Sequence, residues 1–382
     1  MAVSFLSHEV SDLCIGKPAV RLLPLSATVG EALQALRKGA YSYVCLFAAG
    51  SSSPEKKVVS SWKVGVADVL CYLCGDEKNL ADPAGALKKP VSVLLPKGTS
   101  GGDLVRRVEP NSSLLAALDV ILDGADSLIV PLRPIGRKKN LSAVEFCLLS
   151  HEDFVRHILN SIALLSPIAA LTVSSLGLIR TSVLSVHLHD PALSALPLLR
   201  RAIADGTSVA VLTPDGRFVG EISSSLLASC DEASVSTTAA AIAALSVAEL
   251  MAYIDYHGSP PEFVFRTINT RLREKGFNGM ADLMEEDDAF TSLSSFNSSS
   301  SSDDESGKRK PKIWRSGSYG RRSSTEVVVC NPGSSLMAVM LQALSNRVGY
   351  VWVVEEEDDE EGGILGIVTF ADVLRVFREQ FQ

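Results

Sequence analysis

The sequence predicts an α/β protein built from four copies of one unit, in the order strand, helix, strand, strand, helix. Three observations support this: four similar stretches that open a unit (the heads), four that close one (the tails), and an even distance between them. The heads read VRLLPLSATVGEALQAL, RRVEPNSSLLAALDVIL, SVHLHDPALSALPLLRRAI and VVVCNPGSSLMAVMLQAL. Self-similarity of this kind is typical of repeat architectures.

Each head combines a short apolar strand, a proline, a small polar residue and a helical pattern. In the first head, apolar residues recur at i, i+3, i+4 and i+7, and the second and fourth heads repeat this spacing. The prolines stand where a strand ends and no ladder donor is needed. In the third head Pro197 falls inside the helical pattern, so we expect that helix to be shortened or kinked.

The tails read VGVADVLCYL, LLSHEDFVRHIL, VGEISSSLLAS and LGIVTFADVLRVF, each a strand that runs directly into a helix. From each head proline to the tail position aligned with Asp372, the distance is between 35 and 44 residues. An apolar strand lies between head and tail in every copy, at Tyr43–Phe47, Ser127–Val130, Ser208–Leu212 and Tyr350–Val354. These features complete the predicted unit.

One unit is too small to bury its own sheet face, so we expect the units to pair into two modules. The first module covers residues 12–160, with repeats at about 12–78 and 91–160, and the second covers 171–382, with repeats at about 171–230 and 323–382. The second module is interrupted by an insertion at 231–322. Helical patterns are predicted within the insertion at Val247–Tyr256 and Phe263–Met284. Its acidic, serine-rich and basic end, 286–322, is predicted to be disordered.

The P-x-S-S-L-x-A pattern of the heads and the G-I-V-T-F-A-D-V-L tail resemble the cystathionine β-synthase (CBS) domain. Four copies in two pairs are similar to the plant CBSX-type proteins and to the gamma subunit of AMP-activated kinases. The resemblance implies that two repeats form a pseudo-symmetric disc, called a Bateman module. It also implies a ligand containing adenosine, such as AMP, ADP, ATP or S-adenosylmethionine, bound in clefts between repeats as a regulatory ligand, with no cofactor required.

The chemistry of such a site fits a Ser/Thr-x-x-Asp pattern in the tails. A carboxylate accepts hydrogen bonds from both ribose hydroxyls, and a hydroxyl at a helix N-terminus suits a phosphate. The resemblance carries the complete pattern onto Thr369 with Asp372 and Ser150 with Asp153. The first tail keeps Asp68 but has Gly65 for the hydroxyl, and the third keeps Ser223 but has Leu226 for the acid. The same spacing is also that of a helix capping box, which needs no ligand.

The leading interpretation is a non-enzymatic regulatory protein that modulates a partner, such as a kinase complex or a redox enzyme. No catalytic constellation is recognisable, and the C-x-x-C of Cys71 and Cys74 lies in a helical pattern without a second cysteine pair. The alternative is a ligand-free interaction scaffold, because two of the four tails lack part of the pattern. A homodimer formed by stacking of modules is a further possibility of the family.

Charge and cysteine usage restrict the partners and the compartment. A net charge of −8 argues against nucleic-acid binding. The uncharged stretch Ser161–Ile179 contains Pro167 and is expected to be buried, so no membrane association is predicted. Seven scattered cysteines favour a reducing compartment, the cytoplasm first and the nucleus second. Ser323 and Ser324 follow two arginines at the entry to the fourth repeat, and we expect one of them to be phosphorylated.

Overall fold

A computed structural model describes residues 8–38, 41–47, 61–95, 105–132, 145–161, 166–230, 235–256, 260–286, 323–355 and 363–380. The predicted disorder of 286–322 lies outside the described residues, except for Glu286, which ends a helix. None of the described helices has the combined length and apolar character that a transmembrane span requires.

The first two repeats have the predicted order of elements. Their strands are β1 (Leu22–Pro24), β2 (Tyr43–Phe47), β3 (Ser61–Gly65), β4 (Val105–Arg107), β5 (Ser127–Leu132) and β6 (Glu145–Ser150). The helices up to residue 169 are α1 (Val10–Leu13), α2 (Val29–Lys38), α3 (Val66–Cys74), α4 (Glu77–Ala81), α5 (Pro83–Leu87), α6 (Leu114–Leu122), α7 (His151–Asn160) and α8 (Ser166–Ala169). Of these, α2 and α3 belong to the first repeat, and α6 and α7 to the second.

The third and fourth repeats follow the same plan. Their strands are β7 (Ser185–His187), β8 (Val209–Leu212), β9 (Phe218–Ile222), β10 (Val329–Cys330), β11 (Tyr350–Val354) and β12 (Ile364–Thr369). The helices are α9 (Leu196–Asp205), α10 (Ser224–Ser229), α11 (Val235–Ala244), α12 (Val247–Asp255), α13 (Glu262–Glu274), α14 (278–286), α15 (Leu336–Ser345) and α16 (Phe370–Glu379). The α/β fold class is thereby confirmed.

Every repeat contributes a three-stranded sheet of one pattern. The first strand pairs parallel with the second, and the second pairs antiparallel with the third. In the first two repeats these sheets join into one six-stranded sheet through a bridge between Ser61 and Val105. The third and fourth repeats keep separate three-stranded sheets.

In the second and fourth heads, the small polar residue explains where the helix begins. The Ser113 hydroxyl accepts a hydrogen bond from the Ala116 amide at 3.2 Å, and the Ser335 hydroxyl accepts one from Ala338 at 3.3 Å. Such a cap satisfies an amide that has no partner within the helix. The third head instead opens with a 3₁₀ turn, and α9 begins only at Leu196, with Pro197 in its first turn. Pro197 therefore sets where α9 begins, but the predicted shortening is wrong, because α9 has ten residues, as many as α2 and α15.

Each head is also bridged to a segment from elsewhere in the chain. The four bridges are Glu9 with Ser113, Thr28 with Pro90, Thr172 with Ser335, and Pro191 with Ser246. The segments that lead into the first and third repeats thus pack on the second and fourth repeats. Pro90 lies in the linker after the first repeat and is bridged to the head of that repeat. Ser246 lies in the insertion after the third repeat and is bridged to the head of the third repeat in the same way. The helical part of the insertion is therefore an enlarged counterpart of that linker.

Helix packing connects repeats that are not neighbours in the sequence. Helix α3 of the first repeat contacts α9 and α10 of the third, and these repeats share one hydrophobic core. Helix α16 of the fourth repeat contacts α6 and α7 of the second, and these repeats share another core. A shared sheet therefore joins the first repeat to the second. Helix packing joins the first repeat to the third and the second repeat to the fourth. The module boundaries themselves stay a prediction.

The insertion differs from the sequence prediction in two respects. The predicted helical stretch Phe263–Met284 is two helices, α13 and α14, separated where Gly276 adopts a positive φ of 80°. Helix α11 was not predicted at all, and every one of its residues is buried. It packs between α3 and α13, so the insertion supplies the centre of the core shared by the first and third repeats.

Candidate functional site

The complete pattern in the fourth repeat lies where β12 turns into α16. The Asp372 Oδ2 atom accepts hydrogen bonds from the Thr369 amide at 3.0 Å and from the Thr369 hydroxyl at 2.6 Å. The Thr369 hydroxyl in turn accepts a hydrogen bond from the Asp372 amide at 3.4 Å. The two residues therefore form a reciprocal capping box, as their spacing allowed. Ligand binding by this pair stays a prediction.

A cation from the segment that precedes the third repeat meets the same carboxylate. The Arg180 Nε and Nη2 atoms lie 2.9 Å and 2.6 Å from Asp372 Oδ1. Arg375, one turn further along α16, donates to the same oxygen at 3.1 Å. The backbone of Arg180 is fixed by reciprocal hydrogen bonds of 3.0 Å with Ile367 on β12. Arg180 was not among the predicted site residues.

A cleft of about 420 Å³ lies beside this ion pair, between the third and fourth repeats. Its wall contains the segment 179–184 together with Arg201, Asp205, Thr207, Ser208, Trp352 and Ile367. Arg201 is 64% exposed and stands 3.6 Å from the Asp205 carboxylate. The cleft therefore offers apolar side chains, hydroxyls and two guanidinium groups to a small molecule.

A buried carboxylate fixes the aromatic part of this interface. Glu221 on β9 is fully buried and accepts hydrogen bonds from the Tyr350 hydroxyl at 3.0 Å and the Trp352 indole at 2.7 Å. A buried carboxylate is tolerated only when donors satisfy it. These bonds hold the third and fourth repeats together and orient the indole that borders the cleft. Glu221 was also missed, because no local pattern relates it to residues 129 and 131 positions away.

The complete pattern in the second repeat has an equivalent geometry. The Asp153 Oδ2 atom accepts hydrogen bonds from the Ser150 amide at 2.8 Å and the Ser150 hydroxyl at 3.2 Å. The Lys17 ammonium, from the segment that precedes the first repeat, lies 2.7 Å from the same carboxylate and 3.0 Å from the Leu148 carbonyl. In both modules a basic residue from the segment before the first strand thus pairs with the acid in the second repeat of that module.

Similarity to known proteins agrees with this repeat structure. The family model of the CBS domain matches residues 321–379. The CBS domain-containing protein CBSX5 of Arabidopsis thaliana is 39% identical over 406 aligned positions, which cover 99% of this chain and 98% of that protein. The chain belongs to the CBS domain-containing proteins. The resemblance drawn from the heads and tails is confirmed.

Two further similarities concern the arrangement of the CBS repeats. The SNF1-related protein kinase regulatory subunit gamma-like PV42b of Arabidopsis thaliana is 25% identical, and the alignment covers 98% of this chain and 95% of that protein. A crystal structure from Methanocaldococcus jannaschii, proposed as an archaeal homologue of the gamma subunit of AMP-activated kinase, matches with a TM-score of 0.55 at 16% identity. It covers 97% of this chain and supports the four-repeat fold.

The two incomplete CBS motifs are also helix caps. Asp68 accepts a hydrogen bond from the Gly65 amide at 2.8 Å, and burial raises the pKa of its carboxyl. Ser223 caps α10 by accepting a hydrogen bond from the Leu226 amide at 3.2 Å. Each incomplete motif therefore retains one half of the capping box. Their roles in ligand binding stay predictions.

The entry to the fourth CBS repeat places the two candidate phosphorylation sites differently. The Ser324 side chain is fully buried, and its hydroxyl donates to the Met251 carbonyl at 3.3 Å. The Ser323 hydroxyl donates to Asp255 Oδ1 at 2.9 Å and is partly exposed. Ser324 can therefore be reached only after this junction opens, and Ser323 is the better candidate of the two.

The C-x-x-C pair gives no support to redox or metal chemistry. Cys71 and Cys74 are buried on α3 and carry free thiols. Burial raises the pKa of the Cys71 thiol to about 12, so its reactive thiolate form is scarce at neutral pH. Among the described residues, no group of three or more His, Cys, Asp or Glu side chains is arranged to hold a metal ion.

Proposed function

We propose that this CBS protein is a non-enzymatic regulatory protein that binds an adenosine-containing ligand between its repeats and thereby modulates a partner. The observation that carries the proposal is the cleft of about 420 Å³, whose wall includes Arg180, the partner of Asp372. Ligand sites are typically concave, mostly apolar and 300–1,000 Å³ in volume, with a few placed polar groups. The cleft has the required volume, and polar and charged groups make up more of its lining than this average, which suits a polar ligand. Its ligands are sought among AMP, ADP, ATP and S-adenosylmethionine.

The residues around the cleft suit the three parts of a nucleotide. The aliphatic side chains of the segment 179–184 suit a purine ring. The Asp372 carboxylate suits ribose hydroxyls, and Arg201 suits a phosphate. The second repeat offers Asp153 and Ser150 in the same geometry, so a second site in the first module is part of the proposal.

The partner that we propose is a protein kinase complex. Support comes from the similarity to the SNF1-related kinase regulatory subunit gamma-like protein, which extends over nearly the whole chain. A ligand can modulate such a partner only by binding two states of the protein or complex with different affinity. Helix α16 offers a physical connection, since it begins at the Thr369–Asp372 pair and its Arg378 is paired with Asp119 of the second repeat at 2.5 Å.

A ligand-free interaction scaffold is the second candidate, and one observation favours it. Both complete motifs already have their acids paired with a basic residue of the same chain, Arg180 in one module and Lys17 in the other. In a scaffold these ion pairs are structural, and the segment 286–322 is the element that contacts the partner.

Deletion of 286–322 distinguishes the two candidates. The chain and the deletion variant are each titrated with AMP and ATP by calorimetry, and each is used to isolate kinase subunits from plant tissue for identification by mass spectrometry. A sensor retains nucleotide binding without this segment, since the described wall of the cleft comes from other parts of the chain. A scaffold binds no nucleotide in either form and loses its partner on deletion.

A further inference from the structure

The carboxylate of Asp372 has no acceptor capacity left for a ligand. A carboxylate offers about four lone-pair positions. Thr369 donates twice to Oδ2, Arg180 donates twice to Oδ1, and Arg375 donates once to Oδ1. The Asp372 side chain is only 9% exposed. A pair of sugar hydroxyls therefore reaches Oδ1 only if an arginine releases it.

Arg180 is the arginine that borders the cleft and can make this exchange. Its side chain is 36% exposed and forms part of the cleft wall. Its backbone cannot follow, because the chain is hydrogen-bonded to Ile367 and runs so close to Gly366 that a Cβ there would lie 2.4 Å from the Arg180 carbonyl oxygen. Only the side chain is free to swing, and its planar set of donors fits a phosphate as well as a carboxylate.

The energetic balance of this exchange depends on the charge of the ligand. If a neutral nucleoside takes Oδ1, Arg180 loses its counter-charge inside a partly enclosed cleft, which is unfavourable. If the ligand carries a phosphate, Arg180 moves from one anion to another, and the guanidinium keeps a charged partner.

We propose that Arg180 is a specificity-determining residue that makes this cleft select anionic nucleotides over nucleosides. This inference rests on the proposed function and names the ligand class of the same site. The arrangement recurs in the first module, where Lys17 is paired with Asp153 at 2.7 Å and is 22% exposed. A basic residue from the segment before the first strand thus pairs with the acid of the motif in both modules. An accidental contact does not explain this recurrence.

The test is calorimetric titration of the full chain with AMP and with adenosine, comparing the native protein with the Arg180→Gln variant. Arg217→Gln is the matched control, because Arg217 belongs to the same repeat but pairs with Asp215 and is not part of the cleft wall. Lys17 is unchanged in all three proteins, so any binding to the first module is common to them. Thermal unfolding checks that each variant is folded, and Arg180→Met, which is also uncharged, replaces Arg180→Gln if the latter does not fold.

We expect the native protein to prefer AMP over adenosine, and Arg180→Gln to bind adenosine about tenfold more tightly than the native protein does. Arg217→Gln should leave the affinity for both compounds unchanged. Equal adenosine affinity in the native protein and Arg180→Gln, with AMP still bound, overturns the role of Arg180 and leaves the proposed function intact. If none of the proteins binds AMP or adenosine, the titrations are repeated with ADP, ATP and S-adenosylmethionine, and binding of none of these contradicts the proposed function itself.

Discussion

At the scale of single residues, Asp372 combines two roles that are separate in Asp68 and Asp126. It completes the capping box of α16, and it holds the arginine that borders the cleft. Asp68 only accepts from its cap amide, whereas Asp126 is paired with Lys63 at 2.5 Å. These differences in partner predict different responses to mutation and to pH.

Replacement of Asp372 by alanine should weaken binding of the adenosine ligand by roughly 1.5–3 kcal/mol, the contribution of a hydrogen-bonded charged group. The loss of the capping box should also lower the free energy of unfolding by about 1 kcal/mol. Calorimetric titration and urea unfolding measure the two effects. Asp119→Ala is a suitable control, because it removes an acid that pairs with Arg378 on the exposed side of α16. Unchanged affinity in a folded Asp372→Ala protein contradicts the site.

The buried carboxyl of Asp68 predicts an unusual pH dependence. Burial raises its pKa above the ordinary value of 3.8, so the folded state binds a proton more tightly than the unfolded state. Its contribution to stability is therefore full below pH 3.8 and is lost as the pH rises through the folded-state pKa. We expect Asp68→Asn to raise the free energy of unfolding at pH 7 and to have no such effect at pH 3.

Asp126→Asn provides the control of opposite sign. Burial opposes ionisation of Asp126, but Lys63 and the Ser127 hydroxyl outweigh it and lower the pKa. Its stabilising contribution is present above pH 3.8 and is lost as the pH falls through the folded-state pKa. Asp126→Asn should therefore destabilise the protein at pH 7. Urea unfolding measures the free energy of unfolding of both variants. A change in the same direction for the two variants at pH 7 contradicts this account.

At the scale of elements, helix α11 shows what the insertion contributes to the fold. It is buried on all sides and contacts helices of the first and third repeats as well as α13. The Cys74 thiol on α3 donates to the Ala239 carbonyl at 3.4 Å, which shows how closely the two helices approach. A helix so enclosed has little space for larger side chains.

Ala240→Leu should therefore destabilise the protein by about 1–3 kcal/mol, the usual cost of overpacking a core. Ala240 is fully buried. Ala252→Leu is the matched control, because Ala252 is exposed on α12 and leucine is also a good helix former. Chemical unfolding of both variants measures the difference. Equal stability of the two would contradict the central position of α11.

The junction before β10 responds to charge in a predictable way. Asp255 Oδ1 accepts hydrogen bonds from the Ser323 hydroxyl at 2.9 Å and from the Ser324 amide at 2.7 Å. A phosphate on Ser323 would replace this donor with negative charge beside a carboxylate. Ser323→Asp should lower the free energy of unfolding by about 1–2 kcal/mol for the same reason.

Adding Asp255→Asn to Ser323→Asp should restore most of that loss, because the asparagine can donate to the new carboxylate. Double-mutant analysis by urea unfolding quantifies the coupling. Additive effects of the two substitutions would show that the contact is energetically unimportant. Phosphopeptide mapping of protein from its native tissue then decides whether Ser323 is modified; an unmodified serine under several conditions contradicts the proposed site.

The elements show which parts of the structure the sequence could predict. The apolar spacing and the cap residues of the heads predicted α2, α6 and α15, because apolar residues recur at helical spacing on the buried face of each helix and a serine or threonine stands at its start. Helix α11 was missed, since a helix buried on all sides has no amphipathic period. Arg180 and Lys17 were missed because their acids lie 192 and 136 residues away, outside any local pattern.

At the scale of the whole molecule, sheets and helices connect the four CBS repeats in different directions. The six-stranded sheet joins the first repeat to the second, and Glu221 joins the third to the fourth. The helices join the first repeat to the third and the second to the fourth. A ligand in the cleft of the second module therefore contacts elements that pack on both halves of the chain. This connectivity supports regulation of a partner by a bound ligand.

Thermal unfolding of the purified chain with AMP, ADP, ATP or S-adenosylmethionine, and with GTP as a control, tests this account most directly. A ligand at a hundred times its dissociation constant should stabilise the folded state by about 2.7 kcal/mol. We expect a shift selective for adenosine nucleotides that is lost in Asp372→Ala or Asp153→Ala. The absence of a shift with all of these ligands would contradict the account and leave both acids as helix caps in a ligand-free scaffold.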